Sequence, residues 1–202
     1  MNDKAFNPAG KKTNEEFLGG NRPAGRVDFP GGGKNLPKEG SNRWHNLMAS
    51  NMAIAIGSRI HGNKSEVYVN GMRVQLKNNF ICYPDVVIVS GEPVFADSNS
   101  EVLLNPTVVI EIVSSSTSPT AKSQKLESFL AMDSIKECIV LKADEMRVEH
   151  YAKQNPKQWL YKIYNERDDV ISLDSINCKI SLSEVYSQIN IRQTEFSSKA
   201  VN

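Results

Sequence analysis

The amino-acid sequence predicts an α+β fold, in which helices flank a mixed β-sheet core. The chain has 202 residues, enough for one domain, and its hydrophobic fraction of 40% and charged fraction of 23% are close to those of folded soluble proteins. One long helical pattern is followed by apolar runs with the alternation of strands, then by a second helix and further strand-like runs. This order of elements is typical of helices packed on a mixed sheet.

The first 40 residues carry few signals of regular structure. They contain most of the twelve glycines and several of the nine prolines, which are residues that are costly to order or that interrupt helices and strands. We therefore expect residues 1–40 to be poorly ordered, residues 41–190 to form the folded domain, and residues 191–202 to form a flexible tail.

The folded domain is predicted to begin with a long helix. Ser41 or Asn42 is a good N-cap, and apolar residues follow at helical spacing as far as Ile60. The next segments are rich in β-branched residues, which favours strands at residues 67–69, 72–76, 80–90 and 107–113.

The second half of the chain is predicted to hold one more long helix among further strands. Pro119 is a favourable first helical residue, and the helical pattern stops at Asp133. Strands are predicted at residues 138–141, 146–151, 159–164, 170–173 and 179–182, with a short closing helix at residues 183–189.

Composition argues against several classes of function. A net charge of +1 gives no field that would attract nucleic acid or an anionic membrane, so a polyanion would need a local patch. The three cysteines and three histidines match no soft-metal spacing, and we expect the cysteines to be reduced core residues. The sequence has no apolar run long enough for a membrane span and no signal-peptide pattern, which predicts a cytoplasmic protein with no membrane partner.

Two acidic residues interrupt strands that are otherwise apolar. Strand alternation places Asp85 on the same face as Val87, and Glu111 on the same face as Val109. A buried carboxylate needs a cation, a hydrogen-bond donor or a metal, because an unpaired buried charge is unfavourable. Two such acids on neighbouring strands could share one hard cation, Mg²⁺ or Mn²⁺, because these ions prefer oxygen ligands.

Lys125 follows on the second helix, close to the apolar residues Leu126 and Phe129. It flanks the buried face of that helix and could point to the strand ends, where it would offset the charge of a phosphate. Taken singly, each residue also has a structural interpretation: Asp85 in a turn that starts a strand, Glu111 paired with an arginine, and Lys125 in solvent. The order of the three residues favours a functional site.

That order, an aspartate, an acid inside an apolar strand and then a lysine, resembles the PD-(D/E)XK nucleases, and the local sequence resembles their Uma2 branch, also called DUF820. The resemblance covers residues 41–189 and implies a restriction-endonuclease-like fold. The segments that carry it are residues 83–89, 105–117, 125–127, 147–151 and 182–186, together with His45 and Asn46 at the start of the first helix.

The resemblance implies a Mg²⁺-dependent DNA endonuclease that hydrolyses phosphodiester bonds. Asp85 and Glu111 would bind Mg²⁺ or Mn²⁺, and Lys125 would complete the catalytic set, because the family replaces the usual lysine after the second acid with an aliphatic residue and uses a lysine of the following helix. His45 and Asp28 would be accessory residues. His45 could contact a phosphate, although packing against the loop at the helix start is the favoured interpretation. DNA would be the partner, and double-strand cutting would suit a symmetric homodimer.

The sequence departs from the family pattern where accessory acids are expected. Asp28 stands where one glutamate is usual, Gly33 replaces a second glutamate, Ala121 replaces an aspartate of the helix, and Gln124 replaces a glutamate. These departures favour an alternative, in which the chain is a catalytically weakened or inactive nuclease-fold protein that acts as a DNA- or protein-binding module.

Two further patterns have less specific interpretations. The predicted hairpin at residues 146–164 interleaves aromatic residues with lysines, which could stack on and neutralise nucleic acid, but cross-strand aromatic pairing is the favoured interpretation. The glycines at residues 31–33 lack the spacing of a phosphate-binding loop, so no nucleotide cofactor is predicted.

Overall fold

The structure is a computed structural model that describes residues 42–60, 64–77, 79–115 and 119–191. Residues 1–40, which include Asp28 and Gly33, and residues 192–202 lie outside the described residues. The expectations for the N-terminal segment and for most of the C-terminal tail therefore remain predictions.

The described chain contains three α-helices, one 3-10 helix and eleven strands. In chain order they are α1 (Arg43–Ile60), β1 (Ser65–Val69), β2 (Arg73–Gln75), β3 (Ile81–Cys82), β4 (Val86–Ser90), β5 (Val102–Leu103), β6 (Val108–Val113), α2 (Pro119–Leu130), β7 (Glu137–Lys142), β8 (Val148–Asn155), β9 (Gln158–Tyr164), β10 (Val170–Leu173), the 3-10 helix (Asp174–Ile176), β11 (Cys178–Ser181) and α3 (Leu182–Val185). The side chain of Asn42 accepts a hydrogen bond from the backbone N–H of His45 at 3.0 Å, which caps the start of α1.

A mixed six-stranded sheet is the centre of the fold. Its strand order is β1-β4-β6-β7-β8-β9, and all neighbouring strands are antiparallel except β6 and β7, which are parallel. Parallel neighbours need a crossover connection, and α2 lies within the segment that joins β6 to β7. Two small sheets, β3-β2-β5 and β10-β11, accompany the main sheet. The predicted α+β fold with a mixed sheet and flanking helices is confirmed.

The two faces of the main sheet carry separate hydrophobic cores. On one face, α1 buries Met48, Met52 and Ile56 against strand residues such as Ile110, together with β10, β11 and α3. On the other face, the fully buried Phe129 of α2 packs with Val87, Val109 and Cys138 and with the small sheet that contains β2. The three cysteines are buried and free, as predicted.

Residues 80–90, predicted as one strand, form two strands that belong to different sheets. β3 pairs with β2 in the small sheet, whereas β4 pairs with β1 and β6 in the main sheet. Pro84 lies between them, and proline has no backbone N–H to donate to a strand ladder. The break places Asp85 immediately before β4, at the edge of the buried ladder.

Other differences from the predicted elements concern short or locally paired segments. The two-residue strand β5 was not predicted, because its parallel pairing with β2 leaves no periodic signal in so short a run. Strand β8 extends to Asn155, four residues beyond the predicted end, because the hairpin with β9 pairs it along that length. None of the helices in the described part of the chain is long and apolar enough to cross a membrane.

Candidate active site

Asp85 and Glu111 face each other across two neighbouring strands. The antiparallel register of β4 and β6 pairs Val86 with Ile110, and continuing it by one residue sets Asp85 opposite Glu111. Directly opposed residues on antiparallel strands point to the same face of the sheet. That face is the one covered by α2.

Glu111 lies inside the sheet with one oxygen bound to a lysine and the other without a partner. The residue is 9% exposed. Its Oε2 accepts a hydrogen bond from Nζ of Lys125 at 2.7 Å, while Oε1 is buried and has no hydrogen-bond partner among the described residues. Burial raises the pKa of Glu111 to about 7, with a further rise from the charge of Asp85 and an opposing effect of Lys125.

Lys125 is brought to Glu111 by the packing of α2. Phe129, one helical turn further on, is fully buried, so the face of α2 that carries both residues is turned to the sheet. Burial by itself lowers the pKa of Lys125, but the charge of Glu111 and its hydrogen bond outweigh this and raise the pKa above its ordinary value. Lys125 is therefore protonated at neutral pH and carries a positive charge at the site.

Both oxygens of Asp85 are engaged by neighbouring groups. Nε2 of His45 donates to Oδ1 at 2.8 Å, and the backbone N–H of Ile112 donates to Oδ2 at 2.9 Å. His45 lies in the first turn of α1, so this contact joins the helix on one face of the sheet to the acid at the edge of β4. Each carboxylate oxygen has two lone pairs, and Asp85 therefore keeps the capacity to bind a cation.

The residues of this site fit a hard divalent cation. Within the described ranges there is no group of three or more His, Cys, Asp or Glu side chains placed to hold a metal. A site here would rest on the carboxylates of Asp85 and Glu111, and Mg²⁺ is commonly held by only one or two carboxylates together with water and substrate phosphate. Oε1 of Glu111, which is buried without a hydrogen-bond partner among the described residues, is the atom best suited to bind such a cation.

The predicted site residues thus divide into those that the structure brings together and those that it does not describe. Asp85, Glu111, Lys125 and His45 meet at one end of the sheet. Asp28 lies outside the described residues.

The departures from the family pattern that can be located lie on α2. Ala121 and Gln124 are both exposed on this helix. The contact between Glu111 and Lys125 is present without an acid at either position.

A second group of charged side chains beside the site was missed by sequence reasoning. Glu149 of β8 is buried, and Lys122 of α2 and Arg147 approach its carboxylate, each with a nitrogen–oxygen distance of 3.4 Å. Two signals were present in the sequence: Glu149 is an acid at the start of a strand, and Lys122 precedes Lys125 by three residues, so that the two share a helix face.

The aromatic residues of the β8–β9 hairpin pair across the strands, as favoured from the sequence. Tyr151 and Tyr161 are opposite each other in the register, with ring centroids 4.9 Å apart. Lys153 lies over the ring of Trp159, with its Nζ 5.0 Å from the centroid. These contacts account for the aromatic and lysine pattern within the sheet itself.

Comparison with known proteins gives a consistent result. The Uma2 family model, described as "Putative restriction endonuclease", matches residues 16–184. The uncharacterized protein sll1609 of Synechocystis sp. is 29% identical over 129 residues, which are 63% of this chain and 73% of that protein. A crystal structure described as a "putative nuclease belonging to DUF820" from Anabaena variabilis superposes with a TM-score of 0.63 at 18% identity, over 77% of this chain and 87% of that chain.

The structural likeness, at this level of identity, shows a shared fold, and the family match shows membership. The matched residues 16–184 contain every described residue of the site as well as Asp28. Because this match spans well over half of the chain, the protein belongs to the Uma2 family.

Proposed function

We propose that the chain is a Mg²⁺- or Mn²⁺-dependent DNA endonuclease that hydrolyses phosphodiester bonds, with Asp85, Glu111 and Lys125 as its catalytic set. The observation that carries the proposal is the convergence of two opposed carboxylates and one half-buried lysine, with Oε1 of Glu111 left without a partner among the described residues. Membership of the Uma2 family supports DNA as the substrate.

Each residue has a distinct part in the proposal. Asp85 and Glu111 would hold the cation, which when bound would polarise the phosphodiester and lower the pKa of a bound water. Lys125 carries a positive charge beside Glu111, where it would stabilise negative charge that develops on the phosphate. His45 would act as a positioning residue, since its ring N–H fixes one oxygen of Asp85.

An alternative function is that of a binding module that keeps the nuclease fold with weakened or absent catalysis. Ala121 supports it, because this exposed position of α2 lacks the acid that the family pattern usually has there. The described carboxylates would then bind a cation loosely, and the protein would recognise DNA or a protein partner without cutting.

Plasmid nicking separates the two functions. We expect the wild-type protein to nick supercoiled DNA in Mg²⁺ or Mn²⁺ and to be inactive in Ca²⁺ or EDTA. Asp85→Asn, Glu111→Gln and Lys125→Gln should each reduce the rate by about a hundredfold or more, because each removes a charge that acts in the transition state. Glu127→Gln, an exposed change on the same helix, is the matched control and should cut as the wild type does.

Two outcomes of the nicking experiment would contradict the proposed nuclease activity. Three site variants that cut as fast as the wild type would place the activity at another site or in a contaminant. A wild-type protein that binds DNA and Mn²⁺ but cuts nothing would favour the binding module.

A further inference from the structure

A second carboxylate–lysine pair lies beside the first, on the same helix and in the same row of the sheet. The register of β6 and β7 sets Glu111 opposite Val140, and that of β7 and β8 sets Val140 opposite Glu149. Glu149 therefore faces α2 as Glu111 does, two strand spacings or about 10 Å away. Lys122, three residues before Lys125, reaches Oε2 of Glu149 with its Nζ at 3.4 Å.

Further polar groups surround Glu149. Nε of Arg147 is 3.4 Å from its Oε1, and the hydroxyl of Tyr151 donates to its Oε2 at 3.3 Å. Arg147 also donates from Nη2 to the hydroxyl of Tyr161 at 3.4 Å. Arg147, Glu149 and Tyr151 alternate along the chain at the start of β8, and Tyr161 of β9 lies opposite Tyr151. Their side chains therefore stand on the face that carries the candidate active site. The carboxylate of Glu149 thus anchors a polar cluster at the edge of that site.

Positive charge exceeds negative charge in this cluster. Lys142, the last residue of β7, lies beside Lys122, and together with Arg147 they form what we call the basic flank (Lys122, Lys142 and Arg147). Burial lowers the pKa of Lys122, Glu149 raises it, and the neighbouring Lys142 lowers it again. The two lysines repel each other, and a bound anion would relieve that repulsion.

Asp144, a second acid close to Lys142, does not remove the excess. Asp144 interacts with Lys142, but its Oδ2 accepts a hydrogen bond from the backbone N–H of Ser115 at 2.7 Å. Three cations thus share two carboxylates, one buried and one engaged by the backbone. This balance favours an anion over a second divalent cation as the ligand.

The basic flank and the candidate active site lie at the same end of the sheet. β6 and β7 are parallel, and Val113 at the end of β6 pairs with Lys142 at the end of β7. Arg147 comes directly before β8, which runs antiparallel to β7 and therefore starts at that end. A DNA backbone with one phosphate at a cation held by Glu111 and Asp85 would pass this edge.

We propose that the basic flank binds a phosphate of the DNA backbone next to the phosphate at the Asp85–Glu111 site. This inference rests on the proposed function in taking DNA as the ligand. Contacts of lysine and arginine with phosphates fix the position of a duplex without reading its sequence, so the flank would set where the backbone lies relative to Glu111.

DNA binding as a function of salt tests the flank separately from cleavage. The probe is a short fluorescein-labelled duplex in Ca²⁺ buffer, with the dissociation constant measured by anisotropy between about 50 and 200 mM salt. Lys122→Gln, Lys142→Gln and Arg147→Gln should each weaken binding and reduce the slope of log affinity against log salt by about one, because each removes one phosphate contact. Arg147→Lys should keep the wild-type slope.

Controls and contrary outcomes complete the test. Lys179→Gln, an exposed change on β11, should leave the slope unchanged, and thermal unfolding checks that every variant is folded. Flank variants that keep the wild-type slope would overturn the proposal. Inorganic phosphate that competes with the duplex at an equal concentration of phosphate groups would also overturn it, because the flank would then be a site for small anions. A wild-type protein that cuts no DNA would overturn the proposed nuclease activity. If the flank variants of that protein still reduce the slope of log affinity against log salt, the phosphate-binding role of the basic flank would stand.

Discussion

Nζ of Lys125 lies 2.7 Å from Oε2 of Glu111, and Oε1 of the same carboxylate is buried without a hydrogen-bond partner among the described residues. Lys125 thus neutralises one oxygen of Glu111, whereas the other oxygen is shielded from water and accepts no hydrogen bond from the described residues. Such an atom costs free energy in the absence of a ligand. The strength of cation binding and the stability of the fold should therefore depend on the same carboxylate.

Removal of either carboxylate should weaken divalent-cation binding. We expect Asp85→Asn and Glu111→Gln each to reduce Mn²⁺ affinity by more than about tenfold, because each takes one anionic oxygen ligand from a site that has two. Isothermal titration calorimetry measures the affinity in the absence of DNA. Glu127→Gln, on the exposed side of α2, serves as the control and should bind Mn²⁺ as the wild type does. Unchanged affinity in both site variants would place the cation elsewhere.

Loss of Lys125 should destabilise the fold through the acid that it leaves behind. In Lys125→Met the buried Glu111 has no cation beside it, and we expect the free energy of unfolding to fall by about 2 to 3 kcal/mol at about pH 9, where Glu111 of the wild type is ionised. The double variant Lys125→Met/Glu111→Leu should recover most of that loss, because removing both partners of a buried pair is close to neutral. Urea unfolding provides the measurement. A double variant that is less stable than Lys125→Met would contradict the explanation.

The contact between His45 and Asp85 gives a prediction about positioning. His45→Phe keeps a ring in the first turn of α1 but removes the donor to Oδ1, and we expect Mn²⁺ affinity to fall by about tenfold, the effect typical of groups that orient a metal ligand. His45→Gln should retain part of the affinity, because its amide can donate to the same oxygen. The control is His150→Phe, whose side chain lies on the face of the sheet opposite to Asp85 and Glu111. Equal titration curves for His45→Phe and wild type would rule out the positioning role.

Sequence reasoning predicted the parts of this fold that periodicity controls. Asn42, one of the two predicted caps, begins α1, and strand alternation predicted that Asp85 shares a face with Val87. That Asp85 lies opposite Glu111 follows only from the register of β4 and β6. The apolar pattern also indicated that Lys125 flanks the buried face of α2, because Phe129 lies one turn away and is apolar.

The rest depends on relationships that no local pattern contains. His45 meets Asp85 across 40 residues of sequence, because α1 packs on the sheet whose edge begins at β4. The row from Glu111 through Val140 to Glu149 exists only once the strand order is known. Pro84 divides a run that is continuous in apolar character, and the strand before it joins another sheet.

A buried histidine, on the face of the sheet opposite to the candidate active site, should make the stability of the fold depend on pH. The His150 ring is 1% exposed, and neither of its nitrogens has a hydrogen-bond partner in the described structure. Oε1 of Glu137 is 3.9 Å from its Nε2, and Tyr164 stacks on the ring with centroids 6.2 Å apart. Burial first, and then the charge of Lys162, lower the pKa of His150 to about 4, while Asp174 opposes the shift.

His150 should make the fold less stable in mild acid. Its pKa is about 4 in the native state and 6.5 in the unfolded chain, so between these values the unfolded state binds a proton that the native state does not. The contribution of His150 is therefore fully present above about pH 6.5 and declines as pH falls to about 4, by up to about 3 kcal/mol.

Urea unfolding of wild type and His150→Phe at a series of pH values measures this contribution. The phenylalanine keeps the stacked ring and cannot titrate, so the variant should lose less stability than the wild type over this window. Parallel stability curves would mean that another group controls the acid response, and that the native His150 ring takes up a proton as easily as the unfolded one.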